Sequence, residues 1–231
     1  LGFKVDIAAF ALPLLAFGIP LLFSGKSSRK SVGEFIFGFS FLFMGLQALK
    51  ANAPDLGANP EMLAFVQNYT DMGFLSIILF LFIGAILTMI VQASAATMAI
   101  TLIMCANGWI DYHLGVALVL GENIGTTITA NLAALTGNTQ SRRAALAHLV
   151  FNIFGVMWVL VLFYPFTAAV SWFVTDVMNI SDPAVAVSFK LAAFHTAFNI
   201  SNTFIMIWFV GLIEKTVCFL IKGKKDEDEE Y

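Results

Sequence analysis

Residues 92–131 read QASAATMAITLIMCANGWIDYHLGVALVLGENIGTTITAN, and the interpretation of this stretch decides the fold. Small and polar residues interrupt sequence that would otherwise sit in lipid: Gln92, Ser94 and Thr97 at one end, Gly121, Glu122, Asn123, Gly125, Thr126 and Thr127 at the other. The apolar pieces between them, 97–105 and 113–120, are each about half of the ~20 residues that a spanning helix needs. With Asn107-Gly108 as the turn they predict a re-entrant helical hairpin over 93–121. Non-helical backbone at that depth is tolerated only against protein or a wet cavity, which makes the stretch a candidate binding site.

Composition places the chain in a membrane. Hydrophobic residues make up 59% and charged residues 12% of the sequence, with a mean hydropathy of +0.87; soluble domains run at about 45–50% apolar and about 25% charged. The net charge of -3 owes much to the terminal run Asp226–Glu230 and says little about partners. Cys105 and Cys218 lie in apolar surroundings and read as small buried side chains rather than a disulfide or metal site. No nucleotide-binding loop, nucleophile triad or metal cluster is present in the sequence, so an enzyme is not expected, nor is a nucleic-acid partner. A start at Leu1 and an abrupt end at Tyr231 suggest a piece of a longer protein.

Outward from the central stretch, the chain reads as an all-α integral membrane protein with about five spanning helices, the re-entrant hairpin and broken helices. Residues 1–71 hold two spans, 5–24 and 33–50, and a polar connection with a short surface helix at 61–68. Residues 72–221 form the functional repeat. A third span covers 72–92, and a short helix over 128–135 ends at Gly137-Asn138. A fourth span runs from 144 to Tyr164-Pro165. Ser181-Asp182-Pro183 starts a closing helix, which as one piece over 184–221 would be ~57 Å long, so a break is expected near Asn199-Ile200-Ser201-Asn202. Residues 222–231 form a charged tail. Lys26/Arg29/Lys30, Arg142/Arg143 and Lys222/Lys224/Lys225 fall on one side if the hairpin enters and leaves by the same face, which puts that side in the cytoplasm.

The segment Ala145–Ile153 repeats as Ala192–Ile200, sharing Ala, His, Phe, Asn and Ile. His148/Asn152 and His195/Asn199 are i,i+4 pairs, each on one helix face. Repeats around broken helices mark secondary transporters with sites near the bilayer midplane. Helix N-termini attract anions, so helices starting near Ser94 and Thr126 would suit phosphate or carboxylate. Neutral oxygens from Ser94, Thr97, Asn123, Thr126, Thr127 and Thr129 suit sodium, and Glu122 is an intramembrane carboxylate. Packing stands beside binding for each of these. Gly121 and Gly125 are spaced for helix contact, single hydroxyls commonly bond their own helix, and His148 and His195 are readily fixed by neighbouring helices.

Gln92-Ala93-Ser94-Ala95 and Gly121-Glu122-Asn123-Ile124-Gly125-Thr126-Thr127, followed by His148…Phe151-Asn152 and His195…Phe198-Asn199, resemble the type II sodium/phosphate cotransporter family. Its marks are a Gln-Ser-Ser-Ser and a Gly-x-Asn-Ile-Gly-Thr-Thr motif. The resemblance implies sodium-coupled symport of inorganic phosphate by alternating access in the plasma or inner membrane, multi-pass, with sodium as coupling ion and no other cofactor. The implied binding residues are Gln92, Ser94, Thr97, Glu122, Asn123, Gly125, Thr126, Thr127, Asn152 and Asn199, with Ser94, Asn123, Thr126 and Thr127 holding sodium. The family carries two inverted copies of the motif set and this chain carries one. It therefore reads as half of an inverted-repeat transporter, its partner repeat belonging before Leu1. A second copy of the chain in a homodimer and a PhoU-like domain beyond the tail are candidate partners. Ala93 and Ala95 replace two serines of the first motif, which keeps two alternatives open: symport of another small anion such as a carboxylate, and a transport-inactive scaffold or regulator.

Overall fold

The computed structural model describes residues 7–51 and 68–223, all helix and turn with no strand. The surface helix expected over 61–68, the acidic connection around Asp55 and Glu61, and the tail from 224 onward lie outside the described residues. Two compact units divide at Pro54.

The first unit is a helical hairpin, α1 (Ile7–Leu22) and α2 (Ser27–Ala51). Close approach of the two helices depends on glycine: a Cβ on Gly33 would lie 2.9 Å from Leu21 Cβ, and one on Gly18 2.8 Å from Ile36 Cγ2. Arg29 and Lys30, expected in a loop, sit in the first turn of α2. Phenylalanines ladder along α2, with Phe39 and Phe43 ring centroids 4.7 Å apart. Phe10, Phe17, Phe35 and Phe41 are exposed, as suits a lipid-facing surface.

In the second unit, α3 (Phe74–Val91) is apolar on all sides, the mark of a membrane span. It ends where Gln92 turns left-handed at φ 56°, its N–H bonded to the Thr88 carbonyl at 2.8 Å. After two non-helical residues α4 (Ser94–Ala106) runs back. A turn with Gly108 at φ 70° reverses the chain, and Asp111 caps α5 (Tyr112–Ala134) by accepting the Leu114 N–H at 2.8 Å. The expected hairpin and its Asn107-Gly108 turn are present, but its arms are unequal, 13 residues against 23.

α5 is the hub of this unit. Leu114 and Val116–Leu120 are buried on every side. A Cβ on Gly84 would strike the Leu118 carbonyl, one on Gly121 the Leu81 carbonyl, and one on Gly125 would lie 2.5 Å from the Ala85 carbonyl. Positions rise together along both helices (81 with 121, 85 with 125), so α3 and α5 are parallel, and α4 is the return stroke that makes this connection feasible.

α6 (Thr139–Val161) starts at Asn138, which accepts from the Ser141 N–H at 2.8 Å. Asn138 thus begins the next helix instead of ending the last. The fourth span does not reach Pro165. The chain breaks at Leu162 (φ -103°, ψ 24°) and restarts as α7 (Phe163–Trp172), with Pro165 in the first turn, where its missing N–H leaves no helical bond unmade. A π turn at Phe173–Val177 follows. α8 (Pro183–Met206) begins at Asp182-Pro183 as expected.

No break occurs at Asn199–Asn202; α8 continues to Met206, and the irregularity is a 3₁₀ turn at Ile207–Phe209 before α9 (Val210–Leu220). The two asparagines did not force a break because each has a partner. Asn199 donates to the His195 carbonyl at 2.8 Å, and Asn202 donates to Phe151 O at 3.1 Å while accepting from Trp158 Nε1 at 3.2 Å. Among the described residues, Phe74–Val91, Thr139–Val161 and Val185–Leu220 are long and apolar enough to cross a membrane. Cys105 is buried as expected, whereas Cys218 is half-buried.

Candidate functional site

The polar residues of α4, α5, α6 and α8 meet at a cavity of about 340 Å³. At ~30 Å³ per molecule in the liquid, that is room for roughly ten waters or a small hydrated ion. α4 contributes its start, Ser94 and Ala95, with Met98 one turn on; α5 contributes Glu122, Asn123 and Thr126. The repeated motif supplies the rest: His148, Phe151 and Asn152 from α6, His195 and Asn199 from α8.

Local sequence explains why these side chains face inward. Phe194 and Phe198 are fully buried and stack at 6.1 Å. Fixing that face of α8 turns the next positions round the helix, His195 and Asn199, toward the cavity. Trp158 packs against Phe166 at 5.5 Å and Phe198 at 6.3 Å, tying α6, α7 and α8 together behind the site. Gly155 admits Asn202, whose Nδ2 would lie 2.5 Å from a Cβ there.

The start of α4 is electropositive and uncapped. Ala93, at φ -144°, offers no side-chain hydrogen bond, and the first helical bonds to its carbonyl come from Ala96 and Thr97 at 3.0 and 3.1 Å. The N–H groups of Ser94 and Ala95 precede that ladder, as at any helix start. On the opposite wall three side chains donate back to their own helices. Asn152 donates to the His148 carbonyl at 3.1 Å, Asn123 to Val119 O at 2.9 Å, and the Thr126 hydroxyl to Glu122 O at 2.9 Å. Their oxygens remain as acceptors, the arrangement that suits a cation. Glu122 is 3% exposed, and one oxygen accepts from the Thr101 hydroxyl at 3.4 Å.

Of the residues expected from sequence, Ser94, Glu122, Asn123, Thr126, Asn152 and Asn199 come together here. The other four do not line the cavity. Gln92 is exposed at the α3 end; Thr97 is buried with its hydroxyl 3.4 Å from Ala93 O; Gly125 lies against Ala85; and Thr127 is buried, donating to Ile124 O at 2.7 Å. The expected helix start near Thr126 does not exist, since α5 is continuous through 121–127. Hydroxyl- and amide-to-carbonyl bonds, with glycine packing on α3, keep this segment helical. His148 and His195, for which the sequence leaves packing and binding both open, line the cavity, and their i,i+4 pairing with the asparagines is the sequence signal for it.

Fold and site together define an all-α membrane protein with a polar cavity between a helix start and three helix faces. The family model described as Na+/Pi-cotransporter matches residues 3–51 and 57–175, and the chain belongs to that family. It is 29% identical over 227 residues to the uncharacterized protein YqeW of Bacillus subtilis, covering 97% of this chain and 68% of that protein. YjbB of Salmonella typhimurium, named as a candidate inorganic phosphate export protein, is 26% identical across 94% of this chain and 38% of its own length. Rat sodium-dependent phosphate transport protein 2B is 41% identical over 97 residues, 40% of this chain and 13% of that protein. No solved structure matches the chain.

Proposed function

We propose that this chain forms part of a sodium-coupled transporter of inorganic phosphate that works by alternating access in the plasma or inner membrane, which it crosses several times. The observation that carries the reading is the 340 Å³ cavity, where an uncapped helix start faces a wall of neutral oxygens. Phosphate is held by the N–H groups and hydroxyl at Ser94-Ala95, and His148 and His195 supply further donors. Sodium takes oxygens of Ser94, Asn123 and Thr126, with Glu122 as the charged ligand. A cation beside the anion offsets repulsion between Glu122 and phosphate, which links the two loadings. The other repeat needed to close the site comes from the remainder of the protein.

The test is phosphate flux through the protein expressed from its complete gene in proteoliposomes, with sodium exchanged for choline. Flux that is indifferent to sodium would remove the coupling. A second reading, outward rather than inward movement, is favoured by the similarity to YjbB. Reversing the sodium gradient across the vesicles distinguishes the two directions.

A further inference from the structure

A larger cleft, about 980 Å³, lies between α6 and α9. Its α6 wall is Gln140, Arg143, Ala144, Ala147, His148 and Phe151, positions spaced at 3.6-residue intervals along one helix face. The cleft therefore runs ~17 Å down α6 from its first turn, at 1.5 Å per residue. His148 and Phe151 belong to both walls, that of the cleft and that of the 340 Å³ cavity. Where the cleft ends, the site begins.

The mouth holds a lysine and a buried arginine. Arg143 lines it while its Nε donates to Ile221 O at 3.0 Å, and Lys222 stands across from it on the α9 side, with Glu214 further in. Val210, Ile213 and Val217 supply a smooth apolar flank. By contrast, the cavity of about 420 Å³ at the opposite end of the unit, with Tyr112 and Lys190 in its wall, shares no residue with the site. Of these two openings, the one that shares residues with the site lies at the end of the unit bearing Arg142, Arg143 and Lys222.

We propose that the α6–α9 cleft is the water-filled route by which the anion passes between that end of the unit and the cavity, with Lys222 recruiting it at the mouth and His148 and Phe151 forming the partition. The identity of the anion rests on the phosphate reading above; the existence of the route does not. A mouth that collects anions by charge acts before any binding geometry is met, so its effect is on encounter and fades with ionic strength.

The route is tested in the protein from its complete gene, with C218S as background and A147C in the cleft wall. A charged, membrane-impermeant methanethiosulfonate reagent is applied from the Arg143/Lys222 side. The expected result is rapid modification, slowed by excess inorganic phosphate, with flux reduced about tenfold or more. K222E raises the half-saturating phosphate concentration about threefold, an effect that shrinks as choline chloride is added at fixed sodium. Modification that leaves flux intact, or reaction with a membrane-permeant thiol reagent only, overturns the route; the latter result would mark a lipid-filled groove. If the charged reagent reacts and inorganic phosphate neither protects nor is transported by the unmodified protein, the route stands and the phosphate reading falls.

Discussion

Gln92–Ala95 and Gly121–Thr127 look alike as sequence, two clusters of small and polar residues set in apolar surroundings, yet they fold oppositely. At the first the backbone leaves the helix: Gln92 is left-handed, Ala93 extended, and α4 starts uncapped against the cavity. At the second the helix is unbroken, its glycines pressed on α3 and its hydroxyls bonded to carbonyls three or four residues back. Polarity within a membrane helix therefore marks a break only where the side chains cannot return to their own backbone. The first cluster offers backbone N–H groups and the second side-chain oxygens, so the two halves of the proposed site differ in chemical kind.

The largest expected effect tests the packed cluster. Gly121→Val drives a branched side chain into the Leu81 carbonyl and should cost about 3 kcal/mol or more, read as loss of monodisperse protein in detergent. A stable, well-behaved variant would mean that α3 and α5 are not in contact there.

The next prediction separates backbone from side chain at the broken cluster. Ser94→Ala removes only the hydroxyl, while Ser94→Pro also removes the N–H. Proline suits the first helical position, and the extended Ala93 before it is already compatible. Hydrogen bonds to charged groups are worth about 1.5–3 kcal/mol, so the proline variant should bind phosphate roughly tenfold to a hundredfold more weakly than the alanine variant. Equal affinities by isothermal titration would take the helix start out of the site.

On the unbroken cluster, Thr126→Val removes an oxygen from the cavity wall but only a local bond from α5. Thermal stability should change by less than about 1 kcal/mol, and the sodium dependence of flux should weaken by roughly tenfold. Unaltered sodium activation would return Thr126 to a packing role.

The smallest effect is at the bend that opens the first cluster. Gln92→Gly relieves a left-handed residue and should stabilise the protein by about 0.5–1 kcal/mol. Transport that survives this change assigns Gln92 to the bend; transport that disappears restores its side chain as a ligand.

Much of this was legible in the sequence, for identifiable reasons. The Asn107-Gly108 turn and the Asp182-Pro183 start are local signals set by backbone geometry, and both appear where expected. The His148/Asn152 and His195/Asn199 pairs depend only on helical spacing, and they do share a cavity. Continuity through 121–127 and 199–202 depends on partners the sequence does not display: α3 carbonyls beneath Gly121 and Gly125, and Phe151 and Trp158 around Asn202. The break at Leu162 carries no glycine and precedes the proline that was expected to mark it. Its cause is tertiary: α7 packs its own buried face, Phe163, Thr167 and Val170.

Asn202 has a mechanical consequence. Seated on Gly155 and bonded to both Phe151 and Trp158, it rivets α6 to α8 about two turns from the two histidines. His148 and His195 are thereby carried on a single stiff jaw whose aperture is preset. The backbone leaves regular helix on either side of that jaw, at the Gln92-Ala93 elbow and at the 3₁₀ turn of Ile207–Phe209, so the proposed alternation would be accommodated there.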